Sequence, residues 1–522
     1  MCGLHITEDG CKPDYQDILD VTDTLEVSFD VAGDISTDAG IAVGETIDGR
    51  LEAAGDVDWF RLELGVGQTV EIELTGVGGD ELRDPFLRLR NADGVTVAFN
   101  DDQVFGVVLD SALNYTAQEA GTFYVEVDSF LSRFAGDYEL AVKPTAPQNP
   151  VDTVRGQNVL NATGPIQVYL AEAGDTYTDN LGAGPITFSA SGFTAYERAQ
   201  IFSIYEQIEE FTALDFELTT DRAAADLEMA SANLNDALSN GTLLGYFYFP
   251  TPTGQGGHGL LNNAFAGWSD TGGGGLDRGG FMYGVTAHEI GHALGLAHPH
   301  DSGNGTEVLN GVTGSGALGD FDLNQGIFTA MSYNDGYLTS PDGRPGTFDY
   351  GYNAGYGAID IAALQELYGV NETHAAGGDI YQLATANGPD TGWEAIWDTG
   401  GIDWIVAQGP ADAVIDLRPA TLTVAVGGGG FVSSVDGIHG GFTIAAGVLI
   451  ERAHGGAGDD VLTGNEADNL LIGGAGADTL TGGAGQDGVS YQHSKAAVEV
   501  SLETGLGIGG DAKGDRLSEI EW

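Results

Sequence analysis

The fold and chemistry of this chain turn on one stretch: His288-Glu289-Ile290-Gly291-His292-Ala293-Leu294-Gly295-Leu296-Ala297-His298. Two histidines four residues apart leave the same face of a helix. Their ring nitrogens can then reach one zinc ion at about 2.0–2.1 Å. Glu289 projects beside them, over the open metal position, where it can take a proton from water. Gly295 has no Cβ and permits a sharp turn, which returns His298 as a third ligand. Three protein ligands leave the fourth position open, as in catalytic rather than structural zinc sites.

The surroundings of this stretch have helical and strand character. A glycine-rich loop, Gly272 to Gly280, precedes a helix that starts near Tyr283. Upstream, Ile201, Phe202, Tyr205, Ile208 and Phe211 recur with a helical period between Phe193 and Leu214. Leu243 to Phe249 reads as a strand ended by Pro250. Downstream, Ala358 to Tyr368 predicts a third helix, with Ile359, Ala362, Ala363 and Leu367 on one side.

The full histidine pattern, followed by Thr329-Ala330-Met331-Ser332-Tyr333, resembles the metzincin metalloproteases and their methionine turn. Tyr333, two places after Met331, resembles the serralysin branch. The resemblance implies that Met331 packs beneath the zinc-binding histidines. It implies that Tyr333 is a switchable zinc ligand at rest and a hydrogen-bond donor to the oxyanion in catalysis. Gly357 to Gly369 is similar to the serralysin helix that leads into a calcium-binding roll. Gly245, Tyr246, Phe247 and Tyr248 look like the edge strand above the family's cleft. An edge strand offers unpaired backbone groups to which an extended peptide can add. The resemblance covers roughly residues 185–522. His258 and His300 match no ligand of the family and are expected to be solvated or supporting residues.

Four nonapeptides follow, GGAGDDVLT from Gly455, GNEADNLLI from Gly464, GGAGADTLT from Gly473 and GGAGQDGVS from Gly482. They fit G-G-x-G-x-D-x-U-x, the RTX parallel β-roll pattern. Gly455, Gly456, Gly458, Gly473, Gly474, Gly476, Gly482, Gly483 and Gly485 permit the tight turns. Asp460, Asp478 and Asp487 and the backbone carbonyls offer oxygen to calcium, and the apolar eighth residue fills the core. The resemblance implies two nonapeptides per turn, with Asp460 beside Asp478 on one edge and Asn469 beside Asp487 on the other. Asn465 and Asn469 depart from the template, so that edge is expected to bind more weakly. RTX proteins leave bacteria through a type I exporter that reads the C-terminus. This fits an N-terminus without a basic segment followed by an apolar one. Asp515 to Trp522 resembles an RTX segment that continues into more repeats.

Residues 36–145 alternate apolar and polar residues in short runs, such as Trp59 to Leu64, Thr69 to Leu74 and Thr122 to Val127. Gly, Asp and Asn turns between them predict an antiparallel sandwich. Gly55 to Phe60, Asp93-Gly94, Asn100 to Asp102 and Gly121 to Val125 resemble the bacterial pre-peptidase C-terminal-type domain. Relatives of that module can bind calcium, which makes Asp56, Asp58, Asp101 and Asp102 candidate ligands beside the simpler reading of acidic turns. Pro144, Pro147 and Pro150 mark a linker.

The 522 residues carry 78 Asp and Glu against 18 Lys and Arg, a net charge of −60, with 83 glycines. So acidic a chain has no basic surface for nucleic acid or anionic lipid, and it has no apolar run of about 18 residues to span a membrane. Its self-repulsion asks for a neutralising partner, which calcium in the repeats supplies in part. The remaining carboxylates read as a solvated surface. Cys2 and Cys11 are the only cysteines. Gly10 to Asp14 loosely resembles the cysteine switch of other metzincins with one residue missing; a Cys2–Cys11 disulfide or free thiols are the alternatives.

The expected architecture is therefore multidomain α+β. It comprises a leader or propeptide-like segment at 1–35, a β-sandwich at 36–145, a zinc metalloprotease domain at 146–370 and a parallel β-roll at 371–522. The implied function is a secreted, extracellular, monomeric endopeptidase with one catalytic zinc and several structural calcium ions, acting on protein or peptide substrates. A non-catalytic calcium-binding adhesin is the rival from another class. An RTX lipase lacks support, because no G-x-S-x-G elbow occurs.

Overall fold

The computed structural model describes residues 31–100, 109–146, 148–161, 164–180, 185–235 and 243–522. Cys2, Cys11, Asp101, Asp102 and most of the leader lie outside the described residues. The chain divides into two compact units. The first takes its described residues from 1–63, 72–113 and 121–143, and the second comprises 64–71, 114–120 and 144–522.

The N-terminal strands form two four-stranded sheets. One runs Thr46–Leu51, Gly136–Pro144, Thr69–Gly76, Ser111–Thr116, and the other Asp58–Leu64, Gly121–Ser129, Pro85–Arg90, Thr96–Asn100. Antiparallel pairing with a side-chain period of two sends Leu87 and Leu89 inward while Arg88 and Arg90 stay half-buried. Val125 and Val127 face inward in the same way. Asp56 serves its own turn, accepting from the Glu52 N–H. Asp58 is buried and accepts the Tyr138 hydroxyl at 2.5 Å.

The second unit opens with a five-stranded sheet in the order Phe216–Thr219, Ile166–Leu170, Leu227–Ala232, His258–Asn262, Gly245–Phe247. All neighbours are parallel except the last pair, which is antiparallel and leaves Gly245–Phe247 at the edge. The expected Leu243–Phe249 strand is thus only three residues long. Tyr248 still donates its N–H to the His258 carbonyl, but Pro250 has no N–H to continue the ladder.

Besides a single helical turn at Val151–Val154, three longer α-helices lie among the described residues of this unit. Helix α1 (Ala195–Phe211) starts at a capping box, in which Thr194 accepts from the Glu197 N–H and Glu197 accepts from the Thr194 N–H. It buries Ile201, Ile204, Tyr205, Ile208 and Phe211, so its apolar period is the face turned to the core. Phe202 is only partly buried. Helix α2 (Phe281–Ala293) carries the histidine motif, and α3 (Ala358–Tyr368) follows the methionine turn. Tyr356 ties these two together by donating its hydroxyl to the Ala287 carbonyl.

Beyond α3 the chain winds back and forth between two sheets. Arg452–Gly456, Leu470–Gly474 and Gly488–Val489 stack in one, and Val461–Thr463 and Thr479–Thr481 in the other. Arg452 pairs with Leu470 and Val461 with Thr479, both in parallel. Partners are two nonapeptides apart. Leu462, Leu471 and Leu480, each eighth in its repeat, are fully buried between the sheets. One apolar core runs without a break from Val151 through α1, α2 and α3 to Leu480.

Candidate metal and catalytic centre

Helical spacing brings His288 and His292 to one side of α2, with ring centroids 4.7 Å apart. Gly295, at φ +99°, turns the chain just past the helix, and His298 returns. Its Nε2 lies 3.2 Å from His288 Nε2 and 3.0 Å from His292 Nε2. The opposite nitrogen of each ring is anchored elsewhere: His288 Nδ1 at 2.8 Å from the Ala330 carbonyl, His292 Nδ1 at 2.7 Å from the Leu296 carbonyl, His298 Nδ1 at 2.9 Å from Asp301 Oδ2. Anchoring Nδ1 as a donor leaves Nε2 as a lone-pair donor to metal. Burial, reinforced by the neighbouring rings, holds His288 down at about 3 and His292 well below its ordinary value, so both are neutral.

These residues fit zinc. Tetrahedral Zn–N bonds of 2.0–2.1 Å would space the nitrogens about 3.3 Å apart, close to the separations found. Glu289 is buried beside them, and burial of its charge raises its carboxyl to about 8, partly offset by the Phe247 N–H. Its Oε2 has no hydrogen-bond partner. The edge strand passes so close that a Cβ on Gly245 would lie 3.1 Å from Glu289 Oε1.

Met331 is fully buried against α2, and a Cβ on Gly291 would come within 2.6 Å of its sulfur. The first position between Glu289 and His292 holds Ile290, whereas a side chain at the second would have to displace the Met331 sulfur. Tyr333 is half-exposed, with its ring 4.8 Å from that of His298 and 5.6 Å from that of His288. His300 stacks on His298 at 4.7 Å, and its buried Nδ1 has no partner. His258 lies away from this cluster, with Nε2 at 2.9 Å from Asp179 Oδ1.

Sequence reasoning missed two supports. Asp301 orients His298, and a carboxylate three residues past the last histidine was the available signal. Asp360 sits fully buried on α3. It accepts from the Thr329 hydroxyl at 2.7 Å, the Ala330 N–H at 2.6 Å and the Gly357 N–H at 3.0 Å, which clamps the methionine turn to α3. Burial raises its carboxyl to about 7.

A Gly295→Ala change meets two obstacles. The φ of +99° disfavours a side chain, and the added Cβ would lie 2.6 Å from the Asn158 carbonyl oxygen. The expected result is a loss of about 2 kcal/mol or more in stability together with weaker zinc retention, readable by thermal melting and metal analysis.

A cavity of about 310 Å³ opens beside the histidines. Leu244, Phe281 and Val285 line it with apolar side chains, and Glu289, Ser332, Tyr333, Asp335 and Asn353 line it with polar ones. Desolvation raises the Asp335 carboxyl to about 6, with Arg344 pulling the other way.

The nonapeptide turns form a second kind of site. Asp460 Oδ1 accepts from the Ala413 N–H, Asp478 Oδ1 from the Asp460 N–H, and Asp515 Oδ1 from the Asp478 N–H. On the other edge, Asp487 Oδ1 accepts from the Asn469 N–H and Glu521 Oε2 from the Asp487 N–H. Asp515 and Glu521 extend the ladders beyond the four repeats. Oδ2 of Asp460, Asp478 and Asp487 is buried without a partner, the condition a cation relieves. Burial raises Asp460 to about 7 and Asp478 to about 6, and raises Asp487 as well. Only glycine fits the stacked turns: a Cβ on Gly474 would lie 1.9 Å from the Gly456 carbonyl, and one on Gly476 1.9 Å from that of Gly458. Asn469 is different, because its Oδ1 accepts from the Asn465 N–H and its Nδ2 donates to the Glu451 carbonyl. That edge is partly satisfied without a cation.

A third carboxylate cluster lies outside the repeats. One oxygen each of Asp379, Asp398 and Asp403 falls within 4.8 Å of the others. Asp403 is fully buried, its Oδ2 has no partner, and burial followed by the neighbouring carboxylates raises it to about 6.

Residues 56–129 match the bacterial pre-peptidase C-terminal domain, and residues 454–489 match the RTX calcium-binding nonapeptide repeat. Serralysin of Proteus mirabilis is 36% identical over 191 residues, covering 34% of this chain and 35% of that protein. Serralysin C of Dickeya chrysanthemi is 39% identical over 188 residues, 34% of each. Metallopeptidase AprA of Pseudomonas marginalis is 29% identical over 380 residues, 67% of this chain and 72% of that protein. The chain therefore spans about a third of the length of the serralysins it matches and more of AprA. Among solved structures, the pre-peptidase C-terminal domain of a Bacillus anthracis collagenase aligns at 23% identity over 20% of this chain and 93% of that one, with a TM-score of 0.17. The chain is thus similar to serralysin-type metallopeptidases over these stretches, and it carries matches to a pre-peptidase C-terminal domain and to RTX calcium-binding repeats.

Proposed function

We propose that this protein is a secreted, calcium-dependent zinc endopeptidase. The observation that carries the reading is the convergence of three anchored histidines beside a buried carboxylate. His288, His292 and His298 would hold the zinc, which supplies a Lewis acid that lowers the pKa of water and polarises the scissile carbonyl. Glu289 takes the proton from the attacking water and passes it to the leaving amine. The Tyr333 hydroxyl donates to the oxyanion as charge develops there. An extended peptide adds to the free edge of Gly245–Phe247, with Tyr248 beyond it, so main-chain pairing supplies much of the binding.

The domain reading follows the sequence: leader at 1–35, pre-peptidase C-terminal-type sandwich at 36–145, metzincin catalytic domain at 146–370 and RTX β-roll at 371–522. Calcium would occupy the turns around Asp460, Asp478 and Asp487, and the Asp379–Asp398–Asp403 cluster as a further site. Export by a type I system and action as a monomer complete the proposal. No helix among the described residues is long and apolar enough to cross a membrane.

Casein hydrolysis with and without a zinc chelator tests the reading. Activity should disappear on chelation and return when zinc is added. A protein that binds calcium but leaves casein intact when loaded with zinc would be the non-catalytic adhesin instead.

A further inference from the structure

The cavity beside the histidines has a feature that peptide-bond hydrolysis by Glu289 does not require. Asp335 lines it, two residues past Tyr333 and on the same loop. Asp335 is partly buried, and its carboxylate has no side-chain hydrogen bond or ion pair among the described residues. Leu244, Phe281 and Val285 supply the apolar part of the lining, beside the polar Ser332 and Asn353 and the catalytic-site residues. A long side chain with an aliphatic stem and a cationic head fits such a shape, stem along the walls and charge at the carboxylate. Acidic or short polar side chains would leave the partly buried Asp335 carboxylate without a partner.

Building on the proposed peptidase activity, we propose that Asp335 makes the enzyme selective for basic substrates, with lysine or arginine flanking the scissile bond seated in this cavity. The position is set by neighbours: the same cavity is lined by Glu289 and His288, so the side chain it holds belongs to a residue adjoining the reacting carbonyl. The whole molecule favours the same class. A net charge of −60 attracts cationic peptides and raises their local concentration, most strongly at low ionic strength. Asp335 then converts general attraction into choice of bond.

The test uses the full chain loaded with zinc and calcium. Peptides identical except for Lys, Arg, Gln or Glu on either side of the cleaved bond are compared by kcat/KM. Lys or Arg should exceed Gln by about tenfold to a hundredfold at one flanking position, the range that one desolvated charge pair supplies. Asp335→Asn should collapse that ratio toward one, and Asp335→Lys should move the preference to Glu. Benzamidine should inhibit the wild-type protein competitively, an arm that needs no variant to fold. Cleavage without basic preference, or a preference that survives Asp335→Asn, would overturn the assignment of Asp335 and leave the peptidase reading standing. Failure to cleave any peptide would overturn both.

Discussion

Glu289→Ala eliminates peptide hydrolysis while the protein retains zinc. The two halves of this result have separate physical origins. Hydrolysis depends on a base poised beside the attacking water, and positioned acid–base groups contribute roughly 10²- to 10⁴-fold in rate. Glu289 is placed for that role because α2 projects it next to His288, the edge strand closes over it, and its Oε2 is left without a partner. Zinc retention depends on other groups. The anchors that orient the three rings are the Ala330 and Leu296 carbonyls and the Asp301 carboxylate, none of which touches Glu289. Metal content and kcat/KM on casein-derived peptides, measured on one preparation, check both halves. Residual turnover within tenfold of wild type would remove Glu289 from the mechanism.

Calcium removal unfolds the nonapeptide region at pH 7.5 and leaves it more resistant near pH 5. In the folded state Asp460 is raised to about 7 and Asp478 to about 6, against an ordinary 3.8. Burial is the first cause in both. Between about pH 4 and 7 the calcium-free folded region therefore binds more protons than the unfolded chain. Its stability is highest below pH 4 and falls as pH rises through the folded values. Calcium reverses this by neutralising the same oxygens. Each site at a hundred times its Kd contributes about 2.7 kcal/mol, so the gain from calcium grows with pH. Thermal melts of the full chain with and without a calcium chelator at pH 5 and 7.5 read this directly. Asp478→Asn should narrow the difference from both sides, raising calcium-free stability and lowering the response to calcium. A calcium-free region as stable at pH 7.5 as at pH 5 would contradict the account.

The large self-repulsion of the chain is thus localised only in part. The ladders of Asp460, Asp478 and Asp515 and of Asp487 and Glu521 concentrate some carboxylates where a cation can neutralise them. Many others lie on the exposed surface.

Features carried by periodicity and fixed spacing are legible in the amino acids alone. The interval from His288 to His292 is a helical turn, and the apolar eighth residue of each nonapeptide is a repeat position; both follow from local geometry. Hence the limits of α3, the stacking of Asp460 beside Asp478 and the burial of Leu462, Leu471 and Leu480 are open to expectation from residue order. Three-dimensional meetings between distant segments carry no such signal. Asp360 reaches Ala330 across thirty residues of sequence. Asp398 and Asp403 meet Asp379 only because the chain folds back. Gly291 looks like a free position until Met331 arrives beneath it. Asp335 is an ordinary loop residue until the fold brings it to the cavity that His288 and Glu289 line. Local covalent geometry repeats along the chain and can be read there, whereas desolvation and long-range contact are properties of the packed protein, and only its tertiary structure decides them.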